Sequence, residues 1–176
     1  MSKLNKSWMA VVAAALLLGA LVGVVWARPG EGPHAQATTR KVTLTGADFI
    51  PTSPNYEYGN AGEHVYCVTG SCNFSAPVNF PTLSAVTVER IKLHVNDNNA
   101  TGMASSGLMR AKPPEGTHSS FGQVSSPPGS SGGLQTYTSS AMNKAVWPSQ
   151  KAYILLYIGS PNINVFGVTV EYHVNS

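Results

Sequence analysis

Residues 85–95 read AVTVERIKLHV, and this stretch decides the fold class. Val86 and Val88 share one parity, while Ile91, Leu93 and Val95 share the other. Alternation with period 2 marks a strand. One strand can keep all five side chains on the core side only by gaining a residue near Glu89-Arg90, which is what a β-bulge supplies. The last apolar run behaves the same way, with Ile163 and Val165 on one parity and Val168, Val170, Tyr172 and Val174 on the other. Gly167 sits at that switch. Two long bulged strands predict a strongly curved sandwich rather than a flat sheet.

Working outward, Lys41 to Thr45 alternates with Val42 and Leu44 on one face, and Glu63 to Val68 offers a second short strand. Ala152 to Ile158 (AYILLYI) is apolar on both faces. That pattern predicts a central strand with one face in the core, and it leaves open whether Tyr153, Leu155 and Tyr157 or Ile154, Leu156 and Ile158 point inward. Lys112 to Gly116 and Ser125 to Gly133 are rich in Pro, Gly and Ser and read as surface loops. The expected architecture is a single antiparallel β-sandwich of jelly-roll-like type.

Only 11 % of the 176 residues are charged, against about 25 % in ordinary globular chains. A highly charged disordered chain and a coiled coil are excluded. Lys3 and Lys6 precede the 18 uncharged residues from Met9 to Trp26, the pattern of an export signal. Val25-Trp26-Ala27 lies at the usual distance for cleavage, which predicts a signal peptide over 1–27, a flexible leader over 28–40 and a β-sandwich domain over 41–176. An uncleaved membrane anchor is the alternative reading of the same run. Without residues 1–27 the balance is 9 basic against 8 acidic side chains, so the apparent basicity belongs to the signal. No Lys/Arg cluster in sequence remains to track phosphates, and nucleic acid drops out as a partner. The membrane enters only through the N-terminal segment, if that is uncleaved.

Gly46-Ala47-Asp48-Phe49 with Pro51, Tyr56 and Tyr58, then Gly70-Ser71-Cys72 with Phe74, Ala76-Pro77-Val78 and Pro81, and then Val86 to Asp97 form a recognisable set. With the ending Tyr157 to Tyr172, this set resembles a loose group of uncharacterised secreted bacterial proteins. The resemblance implies a single β-sandwich domain behind a signal peptide and supplies no chemistry.

The two cysteines, Cys67 and Cys72, read as a disulfide in an exported chain. Closing so short a loop contributes roughly 2 kcal/mol by the chain-entropy argument. Gly129-Ser130-Ser131-Gly132-Gly133 matches the GxSxG nucleophile pattern, but it lies in a Pro/Gly/Ser loop rather than between a strand and a helix. His94 and His173 fall on the polar side of their strands beside Lys92 and Glu171, which predicts solvated histidines. The carboxylates Asp48, Glu57, Glu63, Glu89, Asp97, Glu115 and Glu171 are scattered. Asn96-Asp97-Asn98-Asn99 has oxygen-rich side chains but only one carboxylate, a poor calcium cage. The expectation is therefore no catalytic residue, no metal and no cofactor.

The aromatic supply is the remaining clue. Tyr56 and Tyr58 lie in the loop-rich N-terminal part, and Tyr153 and Tyr157 become available if their face of the strand is exposed. These four are the candidate ligand-contact residues, with ordinary packing as their competing role. The functional expectation is a secreted or envelope-associated, non-enzymatic protein that binds an envelope or extracellular protein or glycan. A carbohydrate-binding module is the alternative, and a hydrolase whose site assembles in space is the third reading.

Overall fold

The structure is a computed structural model that describes residues 38–113, 115–129 and 132–175. The expected signal peptide over 1–27 and nearly all of the expected leader lie outside the described residues. Twelve strands follow in order: β1 (Arg40–Thr45), β2 (Ile50–Pro51), β3 (Tyr58–Asn60), β4 (Val65–Cys67), β5 (Cys72–Val78), β6 (Val86–Asp97), β7 (Ala104–Lys112), β8 (Thr117–Ser125), β9 (Leu134–Thr138), β10 (Lys144–Val146), β11 (Lys151–Ile158) and β12 (Ile163–Val174). The expected Glu63–Val68 strand is β4, shortened at both ends and paired with β3 through Tyr58 opposite Cys67 and Asn60 opposite Val65.

The strands form two antiparallel sheets. One has seven strands, built around the pair β6 and β12, with β1 and β4 along the far side of β12 and β9 and β10 along the far side of β6. The other has five strands in the order β2-β5-β11-β7-β8, so β11 is central, as its two-faced apolarity requires. The chain passes repeatedly from one sheet to the other, the interleaving of a jelly roll.

Both bulges lie where parity demands them. Arg90 pairs with Glu171 and Val88 with Tyr172, leaving Glu89 as the extra residue on β6. Val95 pairs with Val165 and His94 with Gly167, leaving Phe166 extra on β12. As a result Val86, Val88, Ile91, Leu93 and Val95 are all exposed by 1 % or less, although their parity changes midway. Facing them from the second sheet are Phe74, Leu108, Ile154, Leu156 and Ile158, also buried. Each such side chain contributes about 1.5–3 kcal/mol of burial. Cys67 and Cys72 are joined as a disulfide with Cα atoms 5.9 Å apart, linking β4 of one sheet to β5 of the other at a core edge.

Candidate functional site

The two sandwich surfaces differ in chemistry. On the seven-stranded sheet the outer face is closed on itself by ion pairs and hydrogen bonds. Lys92 Nζ lies 2.7 Å from Glu171 Oε1, and Lys41 Nζ lies 3.5 Å from the same oxygen. His94 makes hydrogen bonds at 2.9 Å to Thr169 Oγ1 and 3.0 Å to Thr136 Oγ1, and His173 Nδ1 lies 3.2 Å from Glu89 Oε1. The solvated histidines expected here are instead half-buried members of a network. Neighbouring strands bring hydroxyls and a carboxylate within reach, which spacing along one strand cannot reveal.

That network fixes the acid response. The Lys92 hydrogen bond, opposed by burial and aided by the charges of Lys92 and Lys41, holds the Glu171 carboxyl below its ordinary value. Burial, with the charge of Lys92, lowers the His94 imidazole from its ordinary value of 6.5. In both cases the unfolded chain binds the proton more readily, so both contributions are present above the unfolded pKa and lost as pH falls through the folded one. Melting temperature should therefore fall on acidification below about pH 6.5 and fall further through the carboxylate range. His94→Asn should flatten the upper part of that profile and Glu171→Gln the lower part, as followed by thermal melts across pH.

The outer face of the five-stranded sheet is of another kind. Register places Ile50, Ser75, Leu155, Gly107 and Gln123 in one row across the strands. Asn73, Tyr157, Ser105 and Ser125 form the next row on one side, and Pro77, Tyr153, Met109 and Ser120 the next on the other. Burial alternates along β11 so that Ala152, Ile154, Leu156 and Ile158 enter the core while Tyr153, Leu155 and Tyr157 face out. Leu155 remains 38 % exposed. These rows carry no carboxylate, and Lys151 at the margin is the one Lys or Arg among the described residues that shares their parity. Rings and aliphatic surface run down the middle, with amides and hydroxyls on both sides.

Further contacts fix the side chains of this face. The Tyr153 hydroxyl and His118 Nδ1 are 2.9 Å apart, with the two rings edge to face, which holds the phenol in one orientation. Asn73 Nδ2 donates to the Tyr56 hydroxyl at 3.0 Å, so Tyr56 stands at the rim beside the Asn73–Tyr157 pair. Gly107 leaves a shallow gap next to Leu155, because a Cβ there would meet only the Gly122 carbonyl, at 3.8 Å. Tyr58 stays apart, packing edge-on against Phe74 at 5.4 Å from β3 in the other sheet. Of the four candidate aromatics, the structure thus places Tyr153 and Tyr157 on this face and Tyr56 at its Asn73 rim, where it also packs against the core, and separates Tyr58. Sequence reasoning missed Ser105, Gly107 and Gln123, since β7 and β8 carry no apolar alternation to announce them.

The other candidate chemistry resolves into structure. Asp48 accepts from the Thr45 backbone N–H at 2.7 Å, Glu57 from Thr69 at 3.0 Å, and Glu115 pairs with Lys112. Asp97 is buried, accepting from Ser126 Oγ at 2.9 Å and from the Asn99 backbone N–H at 3.0 Å. Asn99 Oδ1 accepts from the Thr101 and Gly102 backbone N–H groups, and Asn96 Oδ1 from that of Gly133. The oxygens of the Asn96–Asn99 run thus shape loops. Among the described residues no group of three His, Cys, Asp or Glu side chains could hold a metal ion. Ser130 and Ser131 of the GxSxG match lie outside the described residues, and the match falls between strands β8 and β9 rather than in a strand–turn–helix.

No family model and no curated protein matches the chain. Among solved structures it is similar to CsCBM6-3 from Clostridium stercorarium in complex with cellobiose, at 13 % identity and a TM-score of 0.46, over 72 % of this chain and 90 % of that one. It is similar also to the carbohydrate-binding module CBM36 in complex with calcium and xylotriose, at 13 % identity and a TM-score of 0.46, over 74 % of this chain and 98 % of that one. A third is a β-1,3-glucan-binding CBM6 from Bacillus halodurans, at 15 % identity and a TM-score of 0.42, over 77 % of this chain and 96 % of that one.

Proposed function

We propose that this chain is a secreted, non-enzymatic glycan-binding domain that holds a polysaccharide along the outer face of its five-stranded sheet. The observation that carries the reading is the composition of that face: Tyr153, Leu155 and Tyr157 in line, flanked by Asn73, Ser75, Ser105 and Gln123, without a carboxylate. A sugar ring offers an apolar C–H face and a rim of hydroxyls. Aromatic rings accept the first, while amides and hydroxyls exchange hydrogen bonds with the second. An open sheet face suits an extended chain rather than a small molecule, which would need a concave pocket. The structural employment of nearly every described carboxylate supports the non-enzymatic part of the reading. Residues 41–176 serve as the working domain, with 1–27 removed on export.

A glycan array probed with the full-length protein tests this. Saturable binding to a polysaccharide is expected, with each of Tyr153→Ala and Tyr157→Ala weakening it about tenfold. One stacked ring contributes of order 1–1.5 kcal/mol, and 1.4 kcal/mol is a factor of ten. Gly107→Leu should weaken binding by filling the gap beside Leu155 and leave the melting temperature unchanged. Undiminished binding by all three variants would remove the face from the account. Turnover of a polysaccharide or ester, lost on changing a single His, Ser or carboxylate, would overturn the non-enzymatic reading.

A further inference from the structure

Trp147 is 57 % exposed, the most open aromatic ring among the described large hydrophobic side chains. It stands in the turn between β10 and β11, which is pinned twice: the Gln150 backbone N–H donates to the Trp147 carbonyl at 2.9 Å, and Gln150 Oε1 accepts from the Trp147 backbone N–H at 3.2 Å. The residue is therefore presented from a braced turn. On one side it lines a groove of ≈ 320 Å³ together with Arg110, Lys144, Ser119, Ser120 and Phe121. On the other side it lines a cavity of ≈ 170 Å³ that includes Lys151, Gln150 and Asn79. Among the described residues, no carboxylate lines either space.

Arg40 and Arg90 make no ion pair among the described residues but stand singly, whereas three cations gather around the Trp147 turn. Lys41 and Lys92 share Glu171, and Lys112 has Glu115. Lys144 and Lys151 make no ion pair among the described residues, and Arg110 rests on a ring instead of an acid. Its guanidinium carbon lies 5.0 Å from the Phe121 centroid, and its Nε donates to Ser119 Oγ at 3.1 Å. Those two contacts fix the guanidinium plane while leaving the terminal nitrogens as donors, the pre-organised fork that suits a carboxylate. In a chain with so few charges, the gathering of uncompensated cations around one exposed indole calls for an anion with a face to stack.

We propose that the groove between Trp147, Arg110 and Lys144 binds the carboxylate-bearing residue of an acidic glycan, a uronic acid. The indole takes the C–H face of the ring, Ser119 and Ser120 meet its hydroxyls, and Arg110 with Lys144 holds the carboxylate. Lys151 receives the next acidic group along the chain. This inference rests on the glycan-binding reading and adds to the sheet face a second site, at the Trp147 edge, for an acidic sugar.

Affinity electrophoresis and calorimetry of the full-length protein with polygalacturonate, a neutral β-glucan, dextran sulfate and polyglutamate test it. Polygalacturonate should bind, and Lys144→Gln and Trp147→Ala should each weaken it about tenfold or more. Lys144 is exposed and Trp147 largely so, hence neither variant should disturb folding. Arg110→Gln should act in the same direction, and a melt would reveal any structural cost from losing the Phe121 contact. Tyr153→Ala is the control: its loss of neutral-glucan binding with polygalacturonate retained at Trp147 separates the two sites. Failure of polygalacturonate to bind, equal binding by Lys144→Gln and Trp147→Ala, or tighter binding of dextran sulfate would overturn the uronate assignment even if neutral glycans bind the sheet face. Equal binding of polyglutamate would reduce the groove to a general anion attractor and overturn it as well.

Discussion

Replacing Gly167 by alanine is expected to destabilise the domain by about 3 kcal/mol, lowering its melting temperature by roughly 10 °C. Gly167 follows the extra residue of the β12 bulge and pairs with Thr45 of β1. Its backbone, at φ 154°, is in a region that favours glycine, and a Cβ there would run into the carbonyl oxygen of Leu44. That oxygen belongs to the backbone of β1 and cannot rotate away. Either β1 shifts off β12 or the bulge flattens, and flattening would turn Ile163 and Val165 out of the core. A thermal melt of Gly167→Ala within 2 °C of wild type would show that the bulge is not the constraint argued here.

The second large effect contrasts two neighbouring leucines. Leu156→Ala should cost about 3 kcal/mol, within the range for truncating a buried leucine, because Leu156 is 1 % exposed between the two sheets. Leu155→Ala should stay within about 0.5 kcal/mol, as expected of a surface position, since that side chain faces outward between Ser75 and Gly107. Denaturant titration of both variants reads the difference. Equal costs, or the reverse order, would place Tyr153 and Tyr157 in the core and remove the proposed binding face.

The same pair shows where sequence reading stops. AYILLYI is apolar at nearly every position, so its period is invisible and only the partner strands decide which parity is inside. In AVTVERIKLHV the polar residues Glu89-Arg90 interrupt the alternation, so both the strand and its bulge are legible without a partner. Strands β7 and β8 escape detection for the opposite reason. Their inward positions include Ala104 and Ser106, too small or too polar to mark a face, and their pairing rests on backbone hydrogen bonds that any residue can make. Gly107 is meaningful only once Leu155 is known to lie beside it. Arg110 is more than thirty residues from Lys144 and Trp147 in the chain and meets them only because β7, β10 and the β10–β11 turn end at the same edge of the sandwich.

The measurement that bears most directly on the central claim is a backbone amide NMR titration of the protein with an oligosaccharide selected from the array. Binding along the five-stranded sheet predicts shift changes concentrated at Asn73 and Ser75, Ser105 to Met109, Gln123 and Tyr153 to Tyr157. Changes confined to the Lys41, Lys92 and Glu171 face, or to the groove lined by Tyr66, Asn98 and Asn162, would contradict it.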